Sequence, residues 1–304
     1  MSRETEKVFL EFQKFLDEHG RENMSEDDID VLAKLFFEQY NDNLPEPVTP
    51  ETAETAEDWL ELAEDAESDV ETRQFAKKAL KLDPDNLDAV RILIQYSEDD
   101  EVDQLHALKQ AVEKGTELMK QKGYMEDDVI GDFWGVLETR PYMRLRSAYV
   151  DALTDLNMLG RAAEECQDML RLCVGDNLGI RYTLMHLYAA MEREEEALAL
   201  HQHFEGRDET QMLLPLSVLY YKRENFDKAL WYLKKLEKVN PDTRKFFQSM
   251  KNGTVNKLFS EKSEISYRPG TLDEFLIVFY DEAFLYTEIP EYFDWGHKML
   301  RKRK

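Results

Sequence analysis

Between residues 184 and 236 the chain repeats itself. Leu184, Tyr188, Ala197 and Phe204 recur 32 residues later as Leu216, Tyr220, Ala229 and Leu236, with large and small apolar types at matching steps. A period of roughly 20 to 50 residues marks an array in which each helix pair buries its apolar face only against its neighbours. The pattern therefore predicts an all-α chain built as a stack of helical hairpins. Such stacks expose long curved surfaces and usually bind other proteins, which sets a class of function without naming the partner.

The rest of the sequence is compatible with that architecture. A chain of 304 residues with 42% hydrophobic content can bury a substantial core, and abundant Glu, Leu, Ala and Lys with only 12 Gly and 9 Pro favour helix. Cys166 and Cys173 fall seven positions apart on one expected helix. At 1.5 Å rise per residue they are about 10 Å apart along its axis, too far for a disulfide. They read as small core residues in a reducing compartment. The first twenty residues are acidic and amphipathic rather than cationic and then apolar, so no signal peptide is expected, and no apolar run is long enough to span a membrane. The expectation is a soluble cytoplasmic protein with no membrane partner.

Charge is distributed unevenly. Residues 1–70 carry 22 Asp and Glu against 5 Lys and Arg, which places −17 of the net −25 in the first quarter. Direct binding to a phosphate backbone needs clustered cations, so nucleic acid is an unfavourable ligand. The acidic quarter serves solubility, or it steers a basic partner or mimics nucleic acid.

Helical spacing of Val8, Phe9, Phe12, Phe15 and Leu16, then of Ile29, Leu32, Ala33, Phe36 and Phe37, predicts a hairpin in residues 1–45, with Ser25 as an N-cap ahead of Glu26, Asp27 and Asp28. Pro45, Pro47 and Pro50 mark a linker. Repeats are expected over 51–250, opening with a hairpin from about Thr52 to Leu82 that carries Trp59, Leu60, Phe75 and Ala79. That hairpin stops at Asp83, Pro84, Asp85 and Asn86, a turn that also caps the next helix, and Asn240, Pro241 and Asp242 repeat its punctuation.

These units resemble tetratricopeptide repeats (TPR). The best of them supplies Leu216, Tyr220, Phe226, Ala229, Leu233 and Pro241. The unit before it departs, with Glu194 in place of Phe226 and His201 in place of Leu233, and an earlier one fits through Tyr149, Leu153, Ala162, Cys166 and Met169 at an offset of 35. Longer stretches, Asp83 to Ala89, Phe133 to Gly135, Glu138 through Tyr142 and Gly175 through Tyr182, resemble poorly characterised bacterial TPR proteins distantly similar to the suppressor-of-tumorigenicity family. The resemblance implies an α-α superhelix whose first helices line a concave groove, and it implies no enzymatic activity. The carboxylate clamp of some TPR proteins is not expected, because Leu213, Ser217 and Tyr220 occupy the face where its Lys and Asn would stand.

Two helix entrances hold the candidate binding residues. At the first, Pro141 suits a helix N-terminus, and Glu138, Arg140, Arg144 and Arg146 either form an ion-pair network fixing the hairpin angle or bind an anion, since guanidinium groups take carboxylates bidentately. At the second, Asp176 or Asn177 can cap the helix, while Arg181 stands at the position of Leu213 in the next repeat, either paired to a neighbouring acid or awaiting a ligand. Glu138, Arg140, Arg144, Asn177, Arg181 and Tyr182 are thus expected to form a peptide-binding patch in the groove.

No catalytic constellation is expected. His201 and His203 stand two apart and face different directions on a helix, no zinc pattern occurs, and Gly175 to Gly179 lacks the ending of a phosphate loop. Cys166 has no sequence-visible base. Catalytic residues, metal and cofactor are all expected to be none. After Lys251, Asn252 and Gly253 break the helix, and an aromatic cluster of Phe284, Tyr286, Tyr292, Phe293 and Trp295 follows in residues 251–304. It is expected to cap the solenoid, with docking of a partner or a homodimer contact as the alternative. The functional expectation is a scaffold or adaptor that binds a peptide or helix, not an enzyme. The runner-up is an acidic regulator that occupies the basic surface of a DNA-binding protein.

Overall fold

Short polar side chains cap several of the helices. In the computed structural model, which describes residues 3–20, 24–42, 47–126, 129–261 and 265–301, the regular elements are helices and no strand occurs among the described residues. Cα packing divides the chain into two compact units, Met1–Tyr149 and Val150–Lys304. The border lies inside a helix and is marked by no Pro, Gly or change of composition.

The first unit opens with α1 (Arg3–His19) and α2 (Glu26–Asp42), which pack through Phe12, Phe15 and Phe36, the Phe12 and Phe36 rings lying 5.2 Å apart. Ser25 caps α2 as expected: its hydroxyl accepts from the Asp28 N–H at 3.3 Å, and the Asp28 carboxylate accepts from the Ser25 N–H at 3.0 Å. Pro45 lies outside the described residues. Then come α3 (Ala56–Glu64), α4 (Asp69–Leu82), α5 (Leu87–Gln95) and α6 (Glu101–Gln121), each packed on the next from α3 to α6. Thr55, Ser68, Asn86 and Asp100 supply their N-caps. Trp59, Leu60, Ala63, Ala76 and Ala79 form the core of the α3–α4 hairpin.

The next helix, α7 (Arg140–Asp155), crosses the border. The second unit continues with α8 (Leu159–Leu172), α9 (Ile180–Ala190), α10 (Glu194–His203), α11 (Thr210–Lys222) and α12 (Phe226–Val239). One turn joins α7 to α8, α9 to α10 and α11 to α12. Asn157, Glu192 and Glu224 take left-handed φ values of 56°, 59° and 58°, and the N–H that follows each reaches back five residues, Met158 to Leu153, Arg193 to Tyr188 and Asn225 to Tyr220, at 2.7, 2.9 and 2.9 Å. This is the long bond of a Schellman ending. The turns are spaced 35 and then 32 residues apart, the same offsets as the apolar pattern.

Within these hairpins Leu184, Tyr188, Ala197, Leu216, Tyr220, Ala229 and Leu236 are all buried, and Phe204 is half-buried. The departure at Glu194 has a physical reason: its carboxylate accepts from the Tyr220 hydroxyl at 2.8 Å and pairs with Lys228 at 3.2 Å and Arg223 at 3.0 Å, tying α10 to the next hairpin by polar bonds. Helix exits also repeat. Asp83, Cys173 and Asn240 end α4, α8 and α12 with φ of −128°, −137° and −128° and ψ of 96°, 90° and 100°.

The chain ends with α13 (Thr243–Lys251), α14 (Val255–Ser260), α15 (Leu272–Asp281), α16 (Ala283–Tyr286) and α17 (Pro290–Arg301). Phe246 and Phe275 stack at 4.5 Å, and Phe247, Tyr286, Tyr292 and Phe293 are fully buried around them, so most of the aromatic cluster is core. Gly296 lets α17 approach α13, since a Cβ there would stand 2.3 Å from the Phe247 ring. While α17 packs on α12 and α13, α15 packs on α11 and α16 on α9, so this segment also lies along the first helices of two hairpins. No helix among the described residues is long and apolar enough to cross a membrane.

Candidate binding cleft

The six residues expected to form one patch fall three to each unit. In the first unit, Arg140 is buried, its Nε donating to the Trp134 carbonyl at 2.8 Å and its Nη1 lying 3.4 Å from Glu6 Oε1. Arg144 forks onto Asp88 at 2.9 and 2.5 Å and reaches Glu6 Oε1 at 2.7 Å. Burial opposes its charge, yet the bonds and charges of Asp88 and Glu6 outweigh that and hold the guanidinium above its ordinary pKa. Arg146 is also buried, with its guanidinium over the Tyr142 ring at 5.6 Å. Arg140 and Arg144 are committed to internal partners, Glu6 of α1 and Asp88 of α5, while Glu138 is exposed.

In the second unit the turn Asp176–Gly179 sets the entrance of α9. Asp176 and Gly179 both take left-handed backbone, with φ of 47° and 73°. The Asp176 carboxylate thereby accepts from the Ile180 N–H at 2.7 Å, the Arg181 N–H at 3.2 Å and Arg181 Nη1 at 2.8 Å, placing an anion at a helix N-terminus. Of the two capping candidates, Asp176 makes the bonds. Its carboxyl is pushed up by burial, with Arg181 and the two backbone amides pulling the other way. Arg181 lies over the Tyr182 ring at 4.0 Å and also bonds the Tyr182 hydroxyl, which donates to Glu209 at 2.9 Å. Asn177 is exposed.

Asn177, Arg181 and Tyr182 come together on the wall of an open cleft of about 750 Å³. Asp151, Thr154 and Asp155 of α7, Thr183 of α9 and Gln211 of α11 line it, facing Tyr280, Asp281, Glu282 and Phe284 from the carboxyl-terminal segment. First helices of three consecutive hairpins therefore meet at one surface. Five carboxylates line the cleft, and the single cation among its lining residues is Arg181, already bonded to Asp176.

Glu282 is the least ordinary of these groups. It is 5% exposed, Oε1 accepts from the Thr183 hydroxyl at 2.8 Å, and Oε2 is buried with no hydrogen-bond partner. Burial pushes its carboxyl up to about 8; the Thr183 bond pulls down, and the charges of Asp281 and Asp151 push further up. Either protonation state leaves one bond of Oε2 unmade, a deficit worth about 1–3 kcal/mol. Nearby Cys166 is fully buried, and burial followed by the charge of Glu282 raises its thiol well above the ordinary value, so it carries little thiolate.

Sequence reasoning passed over Glu282 because Asp and Glu total 64. A signal was present: Phe275, Phe279, Glu282 and Tyr286 follow i, i+4, i+7, i+11 spacing, which sets a carboxylate on an apolar helical stripe. His186 was missed because the six histidines are scattered along the sequence. It is fully buried, bonded to the Tyr182 carbonyl at 2.7 Å and the Tyr286 hydroxyl at 2.6 Å, and burial lowers it to about 4. No group of three or more His, Cys, Asp or Glu among the described residues is placed to hold a metal ion. Comparison with protein-family models and with curated proteins gives no match.

Proposed function

We propose that this chain is a TPR-like interaction module, without catalytic function, whose second unit receives a segment of a partner protein in the cleft built by α7, α9 and α11. The observation that carries this reading is the convergence of three first helices, each from a hairpin with the same turn, on one open polar surface. A groove of this kind holds a peptide through alternating pockets and orienting polar groups. Two buried free cysteines suit a cytoplasmic, reducing setting.

The test is site-specific photocrosslinking from within the cell that makes the protein. A photoreactive residue at Gln211, in the cleft, is expected to trap a discrete partner, while one at the exposed Glu195 of α10 traps none. Trapping from Glu195 alone would remove the cleft from this role.

A second reading is favoured by one observation on the acidic hairpin. Phe9, Ile29, Val31, Leu35 and Phe37 are exposed on α1 and α2 among their carboxylates, a surface suited to covering a basic, partly apolar face of a regulator's target. Deleting residues 1–45 abolishes partner binding in this case and spares it in the first.

A further inference from the structure

Away from the cleft, two surfaces of the chain complement one another in polarity and in charge. The first is a pocket of about 210 Å³ in the first unit, bordered by α1, α3, α5, α6 and the start of α7. Its apolar lining comes from Leu10, Leu60, Leu87, Leu118, Met119 and Leu137. That volume lies below the roughly 300–1,000 Å³ of sites for drug-sized molecules and suits a single large side chain. Six carboxylates also line it. Glu6 and Asp88 are bonded to Arg144, and Asp83 accepts from the Asn86 amide and the Asp85 N–H. Glu57, Asp85 and Glu138 are exposed and have no cationic partner among the described residues. Lys122 is the one further cation at the pocket, so its entrance keeps a negative balance.

The second surface is the outer stripe of α12. Trp231 is 54% exposed there, and Lys234, Lys235 and Lys238 follow it at i+3, i+4 and i+7, on the same helical face. Lys235 lies over the indole at 4.5 Å and pairs with Asp208, while Lys234 pairs with Glu237. Lys238 and, in α13, Lys245 are exposed and have no acidic partner among the described residues. Residues 226–251 hold seven Lys and Arg against three Asp and Glu, in a chain whose net charge is −25. An exposed aromatic side chain flanked by cations is the complement of an apolar pocket with an acidic entrance.

We propose that the two surfaces meet between copies of this chain: Trp231 of one copy seats in the first-unit pocket of a second copy, with Lys238 and Lys245 directed at the Glu57, Asp85 and Glu138 carboxylates around that pocket. An apolar patch that matches a pocket elsewhere on the same molecule makes a heterologous contact, whose two sides differ. Both sides are carried by every molecule, so self-association needs no other protein. The buried indole supplies most of the affinity, and the charges around it set orientation and exclude acidic competitors. None of these residues lines the cleft of the second unit, so self-association and the function proposed above stand or fall separately.

Sedimentation velocity of the full chain, from low to high micromolar concentration, tests this. The native chain is expected to associate as concentration rises. Trp231→Ala and the double variant Glu57→Lys/Asp85→Lys are each expected to weaken association at least about tenfold, with circular dichroism showing both to be folded. Mixing them decides the geometry. Trp231→Ala keeps its pocket and the double variant keeps its tryptophan, so together they regain one contact and form a one-to-one dimer that grows no further. Undiminished association of either folded variant overturns the proposal, as do two monomeric, folded variants that fail to combine. A native chain that stays monomeric throughout also overturns it, even if a tryptophan-bearing lysine peptide binds, because the occupant is then a foreign segment. Should the double variant not fold, Glu138→Lys, a change at another exposed residue of the entrance, takes its place in the mixture.

Discussion

At the scale of single residues, the second unit holds two buried groups that titrate in opposite senses. Glu282 has a folded pKa of about 8 against an ordinary value of 4.5, so the stability that goes with its neutral form is complete below about pH 4.5 and is lost as pH rises through 8. His186 has a folded pKa of about 4 against 6.5. Its neutral form is favoured, so its contribution is complete above about pH 6.5 and is lost as pH falls through 4. The two slopes cancel between about pH 4.5 and 6.5, and Glu282 alone dominates above that window. Glu282→Gln should therefore gain on the parent as pH rises from 4.5 to 8.5. Each pKa unit is worth about 1.4 kcal/mol, so the relative gain reaches several kcal/mol. Denaturant melts at the two pH values measure it, and a constant difference would show that Glu282 is ionised in the folded chain.

At the scale of elements, the recurring turn accounts for what could be read in advance. The offsets of 35 and 32 residues between Asn157, Glu192 and Glu224 equal those of the apolar pattern, because a helix pair of fixed length must reverse at a fixed place. Caps at Ser25 and Asn86 were legible for a local reason: a short polar side chain ahead of a helix has one favourable use. The turn itself was harder to see, since left-handed backbone usually announces itself with Gly, and here it falls on Asn or Glu. A residue with a Cβ is strained in that conformation, so Glu224→Gly should stabilise the chain by about 1 kcal/mol and Glu224→Ala should not. Urea midpoints of the two variants, with the slope unchanged, provide the check.

At the scale of the whole molecule, the candidate site was only half legible. Asn177, Arg181 and Tyr182 announced themselves through an unusual helix entrance, and all three line the cleft. Asp281 and Glu282 lie about a hundred residues further along, and nothing local tells that α15 and α16 pack back onto α11 and α9. Long-range packing also decides why Arg181 is bonded to Asp176 and why Arg144 is bonded to Asp88 and Glu6, alternatives that spacing left open. The net charge of −25 acts on the molecule as a whole. Like charges repel within the folded state, and the screening length shortens to about 8 Å at physiological ionic strength. The melting temperature at pH 8 should accordingly rise between low salt and about 0.3 M NaCl; a fall would mean that attractive pairs such as Arg144–Asp88 outweigh the repulsion. The turn tips have a practical consequence. Asn157, Glu192 and Glu224 are exposed and set by backbone geometry, while Cys166 and Cys173 are buried. Cysteines introduced at any two tips would take a donor and an acceptor dye selectively, making the second unit a molecular ruler that reports a change in hairpin spacing when something occupies it.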